Sequence, residues 1–169
     1  DGGTLDGFSP DIETAGEGTR STARRVVAYL SLLRPAAAAS GRPLVATVMR
    51  PTPHLLARYP YAAMAPYVDA FAPMVYWGCT EPGVATASSI RQLAALAPVH
   101  VIGQAYDMAP EGGRAGDPSA AEIARFCDAG RRAGALGASL WHWQSMTTAQ
   151  WAALGASYWP PAEGVPASR

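Results

Sequence analysis

"LDGFSPDIE", residues 5 to 13, is an apolar run with strand character that ends on two carboxylates one residue apart. Side chains alternate across a strand, so Ser9, Asp11 and Glu13 share one face while Phe8, Pro10 and Ile12 share the other. If the apolar set packs on helices, the polar set must face a solvent-lined cavity. Alternate positions lie about 6 to 7 Å apart at Cα, so one carboxylate charge raises the pKa of the other. A carboxyl kept neutral in this way is what glycosidic bond cleavage requires, because the leaving oxygen must be protonated as it departs. The competing reading is that such acids cap the next helix or sit solvated in a loop.

Working outward, short β-branched or apolar runs alternate five times with longer amphipathic, Ala-rich stretches. Strands are predicted over 5 to 13, 43 to 49, 70 to 77, 99 to 106 and 137 to 144. Helices are predicted over 19 to 34, 59 to 68, 85 to 96, 119 to 134 and 147 to 155. In the first helix Val26, Val27, Leu30 and Leu33 form one apolar stripe. Ser119 with Glu122, and Thr147 with Gln150, have capping-box spacing. Asp117-Pro118 blocks an earlier start of the fourth helix, and Gly134 and Gly137 supply stops after it.

Such β/α alternation implies a parallel sheet covered by helices, open or closed into a barrel. A (β/α)8 barrel takes about 250 residues, so at 169 residues the barrel reading expects three N-terminal units outside this sequence. The sequence opens almost directly in a strand and without Met, in keeping with that expectation. The fold class read here is therefore α/β, a partial TIM (β/α)8 barrel of five consecutive βα units. Residues 1–158 would form the barrel portion and the Pro-rich "WPPAEGVPASR", 159–169, a tail or linker. In a barrel, Asp11 and Glu13 would stand at the C-terminal mouth, where that fold keeps its chemistry.

Composition narrows the partners. Nearly half the residues are hydrophobic (49%) and 15% are charged, which suits a folded core. The formal net charge is +0, every cation is Arg, and no basic run exceeds Arg24-Arg25 or Arg131-Arg132, so nucleic acid is not an expected partner. No apolar run reaches the roughly 20 residues of a membrane span. Cys79 and Cys127 have no metal-site spacing and read as unpaired. His54, His100 and His142 form no metal motif, "EGGRAG" opens no phosphate loop, and neither Ser139 nor Cys79 has a G-x-S-x-G setting, so no metal or cofactor is expected.

Aromatic residues gather at the predicted C-terminal strand ends: Tyr76 and Trp77, Tyr106, then Trp141 and Trp143. Flat rings with a polar tip suit the C–H faces of sugars, core packing being the alternative. Gln104 shares the Tyr106 face and offers an amide to a hydroxyl. Asp107 reads as a second mouth carboxylate or a loop turn. His142 alternates with the two Trp residues and should face away from them. The loop "DMAPEGGRAGDPS", with Arg114, reads as a substrate wall or a mobile insertion.

"LDGFSPDIE" resembles the D-G-x-D-x-D-x-E signature on the fourth strand of family 18 glycoside hydrolases, the chitinase-like (β/α)8 barrels, through Asp6, Gly7, Asp11 and Glu13. "APMVYW" resembles the M-x-Y-D segment of their sixth strand through Met74 and Tyr76, and "GASLWHWQ" their eighth strand through Trp141. The resemblance implies that the five units are strands four to eight and that Glu13 is the general acid. Asp11 would orient an N-acetyl group that acts as nucleophile, Tyr76 would donate a hydrogen bond near the reacting carbon, and Trp141 would be a pocket floor. Asp6, Trp77, Gln104, Tyr106 and Trp143 complete the expected substrate-binding set. Ser9 replaces the middle Asp and Trp77 the Asp of M-x-Y-D. Family 25 lysozymes, barrels with a strand ending in D-x-E, match Asp11 and Glu13 equally well. A non-catalytic carbohydrate-binding barrel would keep the aromatics without needing the acids, whereas a lyase or aldolase would want a Lys or a metal. The expected partner is a polysaccharide, and that substrate class would suit an extracellular or cell-wall location.

Overall fold

The computed structural model describes residues 5–14, 16, 18, 20, 22–157 and 159. Five parallel strands lie in sequence order: β1 (Asp11–Ile12), β2 (Val45–Met49), β3 (Ala70–Val75), β4 (Val101–Gln104) and β5 (Ala138–Trp141). Helices cross between them: α1 (Ala23–Ser40), the single turns α2 (Pro53–Leu56) and α3 (Tyr61–Met64), α4 (Pro82–Leu93), α5 (Ala120–Arg132) and α6 (Thr148–Ala156). Each strand pairs with its sequence neighbours, the arrangement that repeated βα units impose on a barrel wall.

Alternation divides the sheet into two faces. Ile12, Ala46, Val48, Phe71, Val75 and Val101 are buried against the helices. Trp77 continues that side and packs on Phe126 of α5, ring centroids 5.4 Å apart. Gly103 lies on the same face because a Cβ there would come within 2.8 Å of the Phe126 ring and 2.9 Å of Leu140; its missing side chain lets α5 approach β4. The opposite face carries Ser9, Asp11, Thr47, Met74, Gln104 and Trp141, as the pairings Asp11↔Thr47, Met49↔Met74, Met74↔Ile102 and Gln104↔Trp141 require.

Two sequence expectations need correction. The first helix runs on through Pro35 to Ser40, since Ala36–Ala39 are strong helix formers and Ala37 is buried; Gly41, at φ 65°, ends it in the left-handed region. The helix predicted over 59 to 68 is instead α3 followed by a 3-10 turn over Ala65–Tyr67, with Pro60 and Pro66 interrupting the α pattern. Pro10, whose missing N–H suggests a bulge or a less regular strand, sits where regular pairing is interrupted: only Asp11–Ile12 forms a strand, and Phe8↔Leu44 is an isolated bridge in the same register as Asp11↔Thr47. Both predicted capping boxes form. Gln150 is also buried and donates to the Pro118 carbonyl at 2.7 Å, tying α6 to the start of α5. Of the predicted tail, Trp159 donates its indole N–H to Ala135 at 3.0 Å; residues 160–169 lie outside the described residues. Cys79 and Cys127 are unpaired, and no helix among the described residues is long and apolar enough to cross a membrane.

Candidate active site

The C-terminal strand ends bring together Asp11 and Glu13 from β1, Arg50 after β2, Tyr76 after β3, Tyr106 after β4, and Trp141 with His142 at the end of β5. The local sequence explains why they point into one space. Ser9 Oγ and Thr47 Oγ1 are 2.9 Å apart, which fixes the polar face of β1 on the side away from the helices. Two positions further on along that face stand Asp11 and then Glu13.

Asp11 is exposed as a residue, but its carboxyl loses enough hydration against the protein to push its pKa up. The cause of that rise is the lost hydration. Glu13 is half-buried. Burial chiefly, and then Tyr106, Asp11, Glu13 and Glu111, push the Tyr76 hydroxyl well above the ordinary tyrosine range. Tyr76 is therefore a neutral donor at the edge of a group of carboxylates. Tyr59, buried below the acid pair, donates to the Ile12 carbonyl at 2.5 Å and holds the end of β1 in place.

An aromatic row continues from Tyr76. Tyr106 meets it edge to face at 5.8 Å, His142 stacks on Tyr106 at 6.3 Å, and Trp141 meets His142 at 5.6 Å. Trp141 and Trp143 expose 55% and 67% of their surface among the described residues. Against the expectation from alternation, His142 joins the row: β5 ends at Trp141, and the two-residue period ends with it.

Other expected site residues are placed elsewhere or engaged within the protein. Asp6 lies at the opposite, N-terminal end of the sheet, 3.7 Å from Arg42. Trp77 is 1% exposed within the core. Gln104 is buried, accepts from the Gly78 N–H at 2.9 Å and donates to the Tyr106 carbonyl at 3.4 Å, so it braces the loop that carries Tyr76. The Tyr106 hydroxyl donates to Glu111 at 3.0 Å. Asp107 accepts from Ala109 N–H at 2.8 Å, which is the loop-turn role, and Arg114 pairs with Glu122 at 2.7 Å.

Three residues were not foreseen. Arg50 donates to the Tyr76 carbonyl at 3.0 Å, and its place one residue past a predicted strand end was a usable signal. Glu111 reaches the aromatic row because the loop after β4 folds back, and His142 because β5 stops; neither event has a local pattern. Among the described residues no group of His, Cys, Asp and Glu could hold a metal ion.

No family model and no curated protein matches the chain by sequence. Solved structures do resemble it. A chitinase from Chromobacterium violaceum ATCC 12472 superposes with a TM-score of 0.69 at 16% identity, over 89% of this chain and 65% of that one. A class V chitinase from Pseudomonas fluorescens Pf-5 superposes with a TM-score of 0.65 at 16% identity, over 90% of this chain and 67% of that one. The five-stranded α/β unit therefore matches part of a chitinase barrel. The chain spans about two thirds of the length of these structures, and at this identity the likeness concerns the fold.

Proposed function

We propose that this chain is the acid-bearing part of a glycoside hydrolase-like (β/α)8 barrel that cleaves O-glycosidic bonds in a polysaccharide containing N-acetyl sugars. The observation that carries the reading is that Asp11 and Glu13 stand at the C-terminal edge of the sheet near enough to Tyr76 for their charges to help raise its hydroxyl pKa, supported by the likeness of the fold to part of two chitinases. In this reading β1 to β5 are strands four to eight. Glu13 is the general acid: its proton passes to the glycosidic oxygen as the C–O bond breaks, a water oxygen then bonds to the anomeric carbon, and the proton that water loses returns to the Glu13 carboxylate. Asp11, whose carboxyl is biased toward the neutral form, positions the reacting sugar. Tyr76 donates a hydrogen bond close to the reacting carbon, and Trp141, with Trp143, offers a sugar platform.

The bond between Ser9 and Thr47 and the burial of Trp77 support a second reading, a carbohydrate-binding barrel without turnover. One substitution separates the two. With the protein at its full natural length and N-acetylglucosamine oligomers as probe, Glu13→Gln should lower the release of reducing ends by about 10²- to 10⁴-fold while leaving oligomer binding within about threefold. Turnover unchanged by the substitution removes Glu13 from the acid role; binding with no turnover in either form establishes the second reading.

A further inference from the structure

Beside the acid pair lies a cleft whose charge that reading leaves unused. Arg34, Arg42, Arg114, Arg125, Arg131 and Arg132 each pair with a carboxylate. Six others form no ion pair among the described residues, and four of these, Arg20, Arg24, Arg25 and Arg58, line one groove of about 890 Å³ together with Thr14 and Tyr59, while Arg50 and Arg91 lie outside it. That volume falls within the range of ligand sites.

The placement runs against what folding alone would select. The first turn of α1 carries Arg24 and Arg25 and no acid, although the helix dipole and free N–H groups there favour negative charge. Arg58 adds a further cation from the segment between α2 and α3. Four Arg side chains lining one concavity give it a positive balance among the described residues, and a guanidinium carries a fork of donors matched to carboxylate or sulfate oxygens. The groove also adjoins the candidate acids. Thr14 follows Glu13 in sequence, and Tyr59 lies close enough that, after burial as the main cause, the Glu13 and Asp11 charges help raise its pKa.

We infer that this groove is a subsite for the anionic substituent of an acidic polysaccharide, a carboxylate or a sulfate ester on a sugar next to the one held at Glu13. The inference rests on the hydrolase or binding-barrel reading of the acid pair and adds the substrate's charge. A neutral glycan leaves four cations unmatched, and a cationic one is repelled from the groove.

Binding can be measured by calorimetry with the Glu13→Gln protein at full natural length, so that the outcome does not depend on turnover. Three probes are used: a neutral N-acetylglucosamine oligomer, its 6-O-sulfated derivative, and a cell-wall glycan fragment bearing lactyl carboxylates. At low salt an anionic probe should bind about tenfold or more tighter than the neutral oligomer, the advantage that one charge-assisted hydrogen bond supplies. The advantage should shrink as added salt screens it. It should vanish in the double variant Arg24→Ala/Arg25→Ala and in Arg58→Ala, and return in part in Arg58→Lys. Whichever anionic probe binds more tightly identifies the source of the charge. Equal binding of all three, or a preference that survives the Arg→Ala changes, overturns the subsite while leaving the acid-pair reading to its own turnover test. Failure of every probe to bind overturns both.

Discussion

The two faces of the sheet are written by the same strands in alternate residues, yet towards the C-terminal strand ends they bury differently, Gln104 excepted. On the helix-facing side Val48, Phe71, Val75 and Val101 are fully buried, and Trp77 nearly so against Phe126 of α5. On the other side Trp141 is half exposed, Met74 and Tyr76 are intermediate, and Asp11 is open to solvent. The first face holds the fold together through apolar burial; the second holds groups whose polarity would be costly in a core. Stability and chemistry can occupy one thin layer because successive side chains point in opposite directions.

The contrast is open to test by substitution on each face. Phe126→Ala, on the buried side, should cost about 3–5 kcal/mol of unfolding free energy, read by denaturant titration, because it removes the ring that packs on Trp77 and fills the space above Gly103. A loss below about 1 kcal/mol would mean that α5 is not seated on the sheet as described. On the open side, Trp141→Ala should change unfolding free energy by no more than about 0.5 kcal/mol while weakening oligosaccharide binding about tenfold. The reverse pattern, a large stability loss with unchanged binding, would make Trp141 a core residue.

The smallest effect is the one set by pH. Burial raises the Asp11 pKa in the folded state, so the fold favours its neutral form. The associated stability is present below the ordinary Asp range near about 4 and is lost as pH rises through the raised value. Asp11→Asn, which cannot ionise, should therefore melt slightly higher than the parent at pH 7, with the gap closing in acid. Asp69, near the N-terminal end of β3, has the opposite sign: the hydrogen bond from Arg34 holds its pKa low. Asp69→Asn should melt lower at pH 7, with the gap closing as pH falls below the ordinary Asp value. Thermal melts of both variants across pH check the two signs together, and matching signs would contradict the placement of one of the two carboxyls.

Much of the fold was legible because it is periodic. Alternation in "LDGFSPDIE" placed Asp11 and Glu13 on one face, and the βα repeat gave five parallel strands in order. Ser119 and Thr147 marked helix starts that form as capping boxes, since capping is a bond between residues three apart. Residues near the site were harder to read. Trp77 follows Tyr76 and so faces the other way, into the core, while Gln104 is turned inward to hold Gly78. Asp6 belongs to the same motif as Glu13 but lies at the other end of the strand, because a strand advances about 3.3 Å per residue.

The sequence by itself determined the parallel βα order, because alternating apolar periods are written in residues close together in the chain, and it led to the expectation of a shared face for the two acids. Only the tertiary structure decided that Glu111 and His142 would join Tyr76 and Tyr106, and that Arg58 would meet Arg20, Arg24 and Arg25 across one groove. Those meetings depend on where loops from different units return over the sheet edge. That is set by the packing of whole helices and leaves no period in the sequence.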